Sequence, residues 1–227
     1  MTTSARTGRL DSVSIAGIAI FGALAIVLTT LSQGLGLNFP LVPYLQFDLG
    51  EIAILLAFFI FGPIPAVVSG FIEFATLMAI GQNVAFFGPE FKLIAILSSL
   101  LGIWLGVSLV SHMQRRTVGK ATGLGGAIGM LFRAAAMTIP NYLLIVSPLF
   151  GIQNAFYTVE APFKAIGVTI TDANVLIIIL IVTAIFNALQ LGFVTAVTYF
   201  VMRLPQIQKV RIAGKSAWII AYLQNKH

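Results

Sequence analysis

Seven side chains able to do chemistry stand in apolar surroundings: Asp48, Glu51, Glu73, Arg133, Asn141, Asn187 and Gln190. Arg133, Met137 and Asn141 fall at i, i+4 and i+8, so they share one face of a helix. Asn187 and Gln190 are three apart, again on one face. Amides and a few charges among Phe, Tyr and Leu suit a small polar aromatic ligand. They equally suit helix gluing, a common role of buried amides in membranes. Catalysis has less to work with. There is no cysteine, which excludes disulfides, thiolate zinc sites and cysteine nucleophiles. His112 and His227 stand alone, and neither H-E-x-x-H nor G-x-S-x-G occurs. Gly119-Lys120 lacks the upstream glycine of a P-loop. The expectation is a protein with no catalytic residue, no metal site and no nucleotide site of its own.

Membrane helices must position these groups. The 227 residues are 59% hydrophobic and 9% charged, with mean hydropathy +1.01. A soluble domain carries about 25% charged residues, so this is read as an all-α integral membrane protein. A span needs about 20 apolar residues, which leaves room for about six spans and little else. Arg6 and Arg9 precede an apolar run from Val13 to Leu31. That run exceeds the roughly 7–15 residues of a signal peptide's apolar region, so it is read as the first membrane helix.

The spans are placed at about 13–32, 49–62, 65–80, 91–112, 122–146 and 173–202. The second and third come from one apolar stretch, divided at Gly62-Pro63-Ile64-Pro65 because proline and glycine stop helices. Residues 147–172 hold Pro, Gln, Asn, Tyr and Glu and are read as a long connection. Charge supports this count. Six spans put ten of the 13 bases on one side: Arg6, Arg9, Arg115, Arg116, Lys120, Arg203, Lys209, Arg211, Lys215 and Lys226. Lys92 and Lys164 fall on the other. The positive-inside rule places the ten, and both termini, in the cytoplasm. Five spans would separate the 115–120 cluster from the N-terminal arginines. The net charge of +6 follows from this topology and indicates no nucleic-acid partner.

Residues 1–204 thus form one six-helix membrane domain, and 205–227 a basic cytoplasmic tail. The tail is either frayed or laid on the membrane surface, with Trp218 and Tyr222 at headgroup level. Small residues recur at helical spacing: Ala19-x-x-x-Ala23, Gly102-x-x-x-Gly106 and Gly125-x-x-x-Gly129. Such spacing permits close helix approach. Glu73 and Arg133 lie mid-span, where an isolated charge costs at least about 2.5–3.5 kcal/mol. Glu73 is expected to compensate Arg133 inside the bundle, in a structural role; the alternative is that Glu73 sits higher and contacts ligand or water.

Three stretches together resemble the substrate-binding S components of energy-coupling factor vitamin transporters, the riboflavin branch most closely. Pro43-Tyr44-Leu45-Gln46-Phe47-Asp48-Leu49-Gly50-Glu51, followed by Phe61-Gly62-Pro63, is similar to the family's P-x-L-K-F-D-x-x-D/E run and FGP turn. Arg133-x-x-x-Met137-Thr138-x-x-Asn141-Tyr142 resembles the branch's fifth-span signature. Phe186-Asn187-Ala188-Leu189-Gln190 resembles its sixth-span F-N-x-x-K. The resemblance covers about residues 12–204. It implies a six-helix subunit in a prokaryotic plasma membrane that captures riboflavin from outside. It implies a partner membrane subunit docking on Ala19 and Ala23, and two cytosolic ATPases. The implied substrate site is Tyr44, Gln46, Phe47, Asp48, Asn141, Asn187 and Gln190. The chain departs from the branch at Gln190, where lysine is usual, and at Glu73-Phe74, near a usual Lys-Asn pair. An S component for another vitamin, an intramembrane lipid-modifying enzyme and a ligand-free scaffold are the alternatives.

Overall fold

The structure is a computed structural model that describes residues 11–81, 88–148, 150–204 and 216–224. Among these the architecture is all-helical. Helix α1 spans Ser12–Gly34, α2 Gly50–Phe61, α3 Pro63–Ala79, α4 Gly88–Ser111, α5 Val118–Val146, α6 Gly151–Ala165, α7 Val175–Arg203 and α8 Trp218–Gln224. Helices α1, α4, α5 and α7 are long and apolar enough to cross a membrane, and α2 and α3 are shorter apolar helices. Large side chains such as Ile20, Leu131 and Phe200 are exposed on the flanks. Apolar surface on this scale has lipid as its natural surroundings. Of the bases used to orient the chain, Arg6, Arg9, Lys209, Arg211, Lys215 and Lys226 lie outside the described residues.

The proposed division at Gly62 is present. Gly62 takes φ 106°, a conformation that favours glycine, and Pro63 opens α3. Twelve residues make α2 only about 18 Å long at 1.5 Å per residue. The helix is buried nearly all round, with Ala53, Ile54, Leu55, Ala57, Phe58 and Phe59 in the main core. The helices close a ring in the order α1, α2, α7, α5, α4, α3, with α2 one of its members.

Two segments differ from expectation. The connection at 147–172 contains α6, whose Ala155, Val159 and Phe163 face a second core with Val42, Ile145, Val175 and Ile179. The described part of the tail is neither frayed nor a separate surface layer. Ala217, Ile219 and Leu223 join the main core, and α8 packs against α2, α4 and α5. The Trp218 ring lies 5.4 Å from that of Phe58 and 4.8 Å from that of Tyr222.

Candidate ligand-binding site

A cavity of about 210 Å³ opens at the end of the bundle opposite Gly62 and α8. Its walls come from α1, the 35–49 loop, α2, α3, α4, α5, Phe150 and α7. The loop is folded by local bonds. Phe39 N donates to Leu45 O at 2.7 Å, Phe47 N to Leu37 O at 2.8 Å and Gln46 Nε2 to Ser32 O at 3.2 Å. This places Tyr44, Gln46, Phe47 and Asp48 along one wall. Phe47 and Phe186 approach to 5.1 Å between ring centroids, with Phe39 packed on both. Tyr44 meets Phe150 edge-on at 5.9 Å. Its buried hydroxyl has no hydrogen-bond partner. Burial pushes the phenol well above its usual range, so it stays neutral. The nearby Thr183 hydroxyl opposes that shift in part, outside hydrogen-bond geometry.

The shared face on α5 is real: Arg133, Met137 and Asn141 are all buried and all line the cavity. Arg133 forms a two-pronged ion pair with Glu51. Its Nη2 donates to Glu51 Oε1 at 2.9 Å, and its Nη1 reaches Oε2. Arg133 Nε donates to Asn187 Oδ1 at 2.9 Å, and Asn187 Nδ2 to Thr183 O at 2.9 Å. Asn141 Nδ2 donates to Met137 O at 2.7 Å.

The expected Glu73–Arg133 pair is corrected. Glu73 is fully buried and belongs to a different cluster. Lys92 Nζ donates to Glu73 Oε1 at 2.6 Å and also pairs with Asp48 Oδ2. The Thr29 hydroxyl lies 2.8 Å from Asp48 Oδ1 and 2.6 Å from Glu73 Oε1, and accepts from Lys92 at 2.6 Å. The reason is placement. Glu51, on the first turn of α2, meets α5, whereas Glu73 lies between α1 and α4. Gly50 makes room for this cluster, since a Cβ there would fall 2.7 Å from Glu73 Oε1 and 2.6 Å from Ala25 O. Lys92 was not singled out as a buried charge, yet its side chain is only 14% exposed. One clue was available: Lys92 is a base on the base-poor side of the chain.

Six of the seven expected site residues line the cavity: Tyr44, Gln46, Phe47, Asp48, Asn141 and Asn187. Gln190 does not. It is buried, and its amide bonds the backbone of Asp48. Ala19 and Ala23 are exposed on the flank of α1. Among the described residues no group of three or more His, Cys, Asp or Glu is placed to hold a metal ion. Compared with family models, curated proteins and solved structures, the chain matches none.

Proposed function

We propose that this chain is the membrane substrate-binding subunit of an energy-coupling factor importer, and that its ligand is an uncharged, ring-containing vitamin, riboflavin first. The observation that carries this reading is the composition of the cavity. Two acids and two bases line it, and each has an opposite charge on the same wall: Glu51 with Arg133, Asp48 with Lys92. What remains for a ligand is aromatic surface, amide and hydroxyl groups and the unpartnered Tyr44 hydroxyl. Rings stack on such surfaces, and amides match alternating donors and acceptors. In this reading α1–α5 and α7 make six crossings, both termini face the cytoplasm of a prokaryote, and the cavity faces out. A partner membrane subunit, served by two cytosolic ATPases, docks on Ala19 and Ala23.

One observation favours an enzyme instead. Asp48 and Glu73 converge on the same Thr29 hydroxyl, the proximity that paired carboxylate chemistry needs. Both are also held by Lys92, and Glu73 does not line the cavity. The binding reading therefore has more in its favour.

The test is purification in detergent, then titration with riboflavin followed by quenching of its fluorescence. Saturable quenching is expected, with yellow flavin carried through purification. Absence of both removes riboflavin as ligand. Ala19→Trp should abolish uptake in cells while leaving that titration unchanged, because bulk there separates two helices without reaching the cavity. Loss of binding as well would remove the docking role.

A further inference from the structure

We infer that Gln190 is a positioning residue that holds the cavity's loop wall by its backbone, without touching the ligand. The inference rests on reading the cavity as a binding site. Gln190 Nε2 donates to Asp48 O at 2.7 Å, and its Oε1 accepts from Asp48 N at 3.3 Å. One side-chain amide thus pairs with both polar groups of a single residue 142 positions away, as a neighbouring strand would. Gln190 is 1% exposed and absent from the cavity wall, so these bonds are its polar contacts.

Asp48 is the point where a clamp has most effect. Its Oδ1 accepts from Gly50 N at 2.7 Å, satisfying a free amide at the start of α2. Its carboxylate also meets Thr29 and Lys92. Tyr44, Gln46 and Phe47 precede it directly on the same wall. Holding the Asp48 backbone therefore fixes the aromatic and amide groups of the loop relative to Asn187, one turn from Gln190 on α7. The side-chain type matters. A lysine at 190 could donate to the Asp48 carbonyl but could not accept from its amide. Glutamine does both without adding charge. Asparagine has the same groups but is one methylene shorter.

The experiment uses the full chain in detergent and compares wild type with Gln190→Met and Gln190→Asn. Thr198→Val, at another buried polar position on α7, is the control. Amide exchange is followed at Asp48, and at Phe39 and Phe47, whose amides close the loop. Riboflavin affinity is measured on the same samples. Gln190→Met should raise exchange at all three amides and weaken riboflavin about tenfold to a hundredfold, with α4 and α5 still protected. Thr198→Val should change neither. If Gln190→Met fails to fold, Gln190→Asn is read the same way. Unchanged exchange at Asp48 overturns the clamp. Faster exchange at Asp48 with Phe39 and Phe47 still protected, or with full affinity, overturns its positioning role. If wild type binds no riboflavin, the proposed function fails, and the three amides alone decide the clamp.

Discussion

Helices α4 and α5 are held together in two different ways along their length. Toward the α8 end they meet through backbone. A Cβ on Gly102 would lie 2.6 Å from the Gly129 Cα, and one on Gly106 would lie 2.5 Å from the Gly125 Cα. The two G-x-x-x-G motifs therefore face each other. Toward the cavity end the same helices carry Lys92, Arg133 and Asn141, and separate around empty space. Glycine contact supplies dispersion and close approach but has nothing to offer a ligand. Charged side chains hold helices apart, and each must find a partner at that depth. The dry end sets how α4 and α5 cross, and the polar end uses the gap this leaves.

The largest effect should come from breaking the polar end. Glu51→Gln leaves the Arg133 guanidinium buried without its counter-charge, at a cost of about 3–5 kcal/mol. Thermal unfolding in detergent should show it. Glu51→Gln with Arg133→Gln should recover part of the loss. A cycle between Glu73 and Arg133 should show coupling near zero, since their clusters are separate. Strong coupling there would contradict the pairing described above.

Next comes the dry end. Gly106→Val puts a branched side chain where a Cβ alone already meets the Gly125 backbone. Overpacking of this kind costs about 1–3 kcal/mol. If the two ends divide their work as argued, stability falls while riboflavin affinity in the folded fraction holds. An equal loss of affinity would mean that the glycine contact also shapes the cavity.

Lys92→Met tests the second cluster and should act less strongly than Glu51→Gln, because the Lys92 and Asp48 side chains are 14% and 15% exposed, against 5% and 6% for Arg133 and Glu51. Asp48 and Glu73 would be left facing each other through Thr29, at about 1–3 kcal/mol. Adding Glu73→Gln should restore part of that. If the double variant is no better than Lys92→Met alone, Glu73 is not what Lys92 compensates.

The same contrast explains what was legible in the sequence. Regular, local signals carried through. The Gly62-Pro63 break lies where read, and Arg133, Met137 and Asn141 share a face because helical spacing requires it. The glycine motifs were legible as close-approach faces, though their pairing needed the fold. Charge partners were not legible. Glu51 meets Arg133 across 82 positions, and three acids in apolar surroundings, Asp48, Glu51 and Glu73, were open to it as partners. Nothing local separates Glu51 from Glu73. Gln190 stood out by type and face, but its partner is a backbone group, which has no sequence signature. Helix α6 was missed because Pro162, Gln153 and Asn154 mask the Ala155, Val159, Phe163 spacing.

The smallest effect expected is at Tyr44, and it sharpens the comparison most. A side chain of the dry end can be judged by stability alone; a side chain of the cavity should be judged by ligand. The Tyr44 hydroxyl is buried on the cavity wall with no partner. Removing it takes away no bond within the protein, and an unsatisfied buried hydroxyl is itself unfavourable. Tyr44→Phe should therefore leave stability within about 0.5 kcal/mol of wild type, or raise it slightly. The ring and its edge contact with Phe150 remain. With a ligand bound, the hydroxyl is free to donate or accept. Its loss should then weaken riboflavin by about 0.5–1.5 kcal/mol, roughly twofold to tenfold. Paired measurements on one preparation separate the outcomes. Unchanged stability with weaker binding assigns the hydroxyl to the ligand. Weaker stability with unchanged binding would assign it to the fold, and would remove Tyr44 from the site as anything but wall.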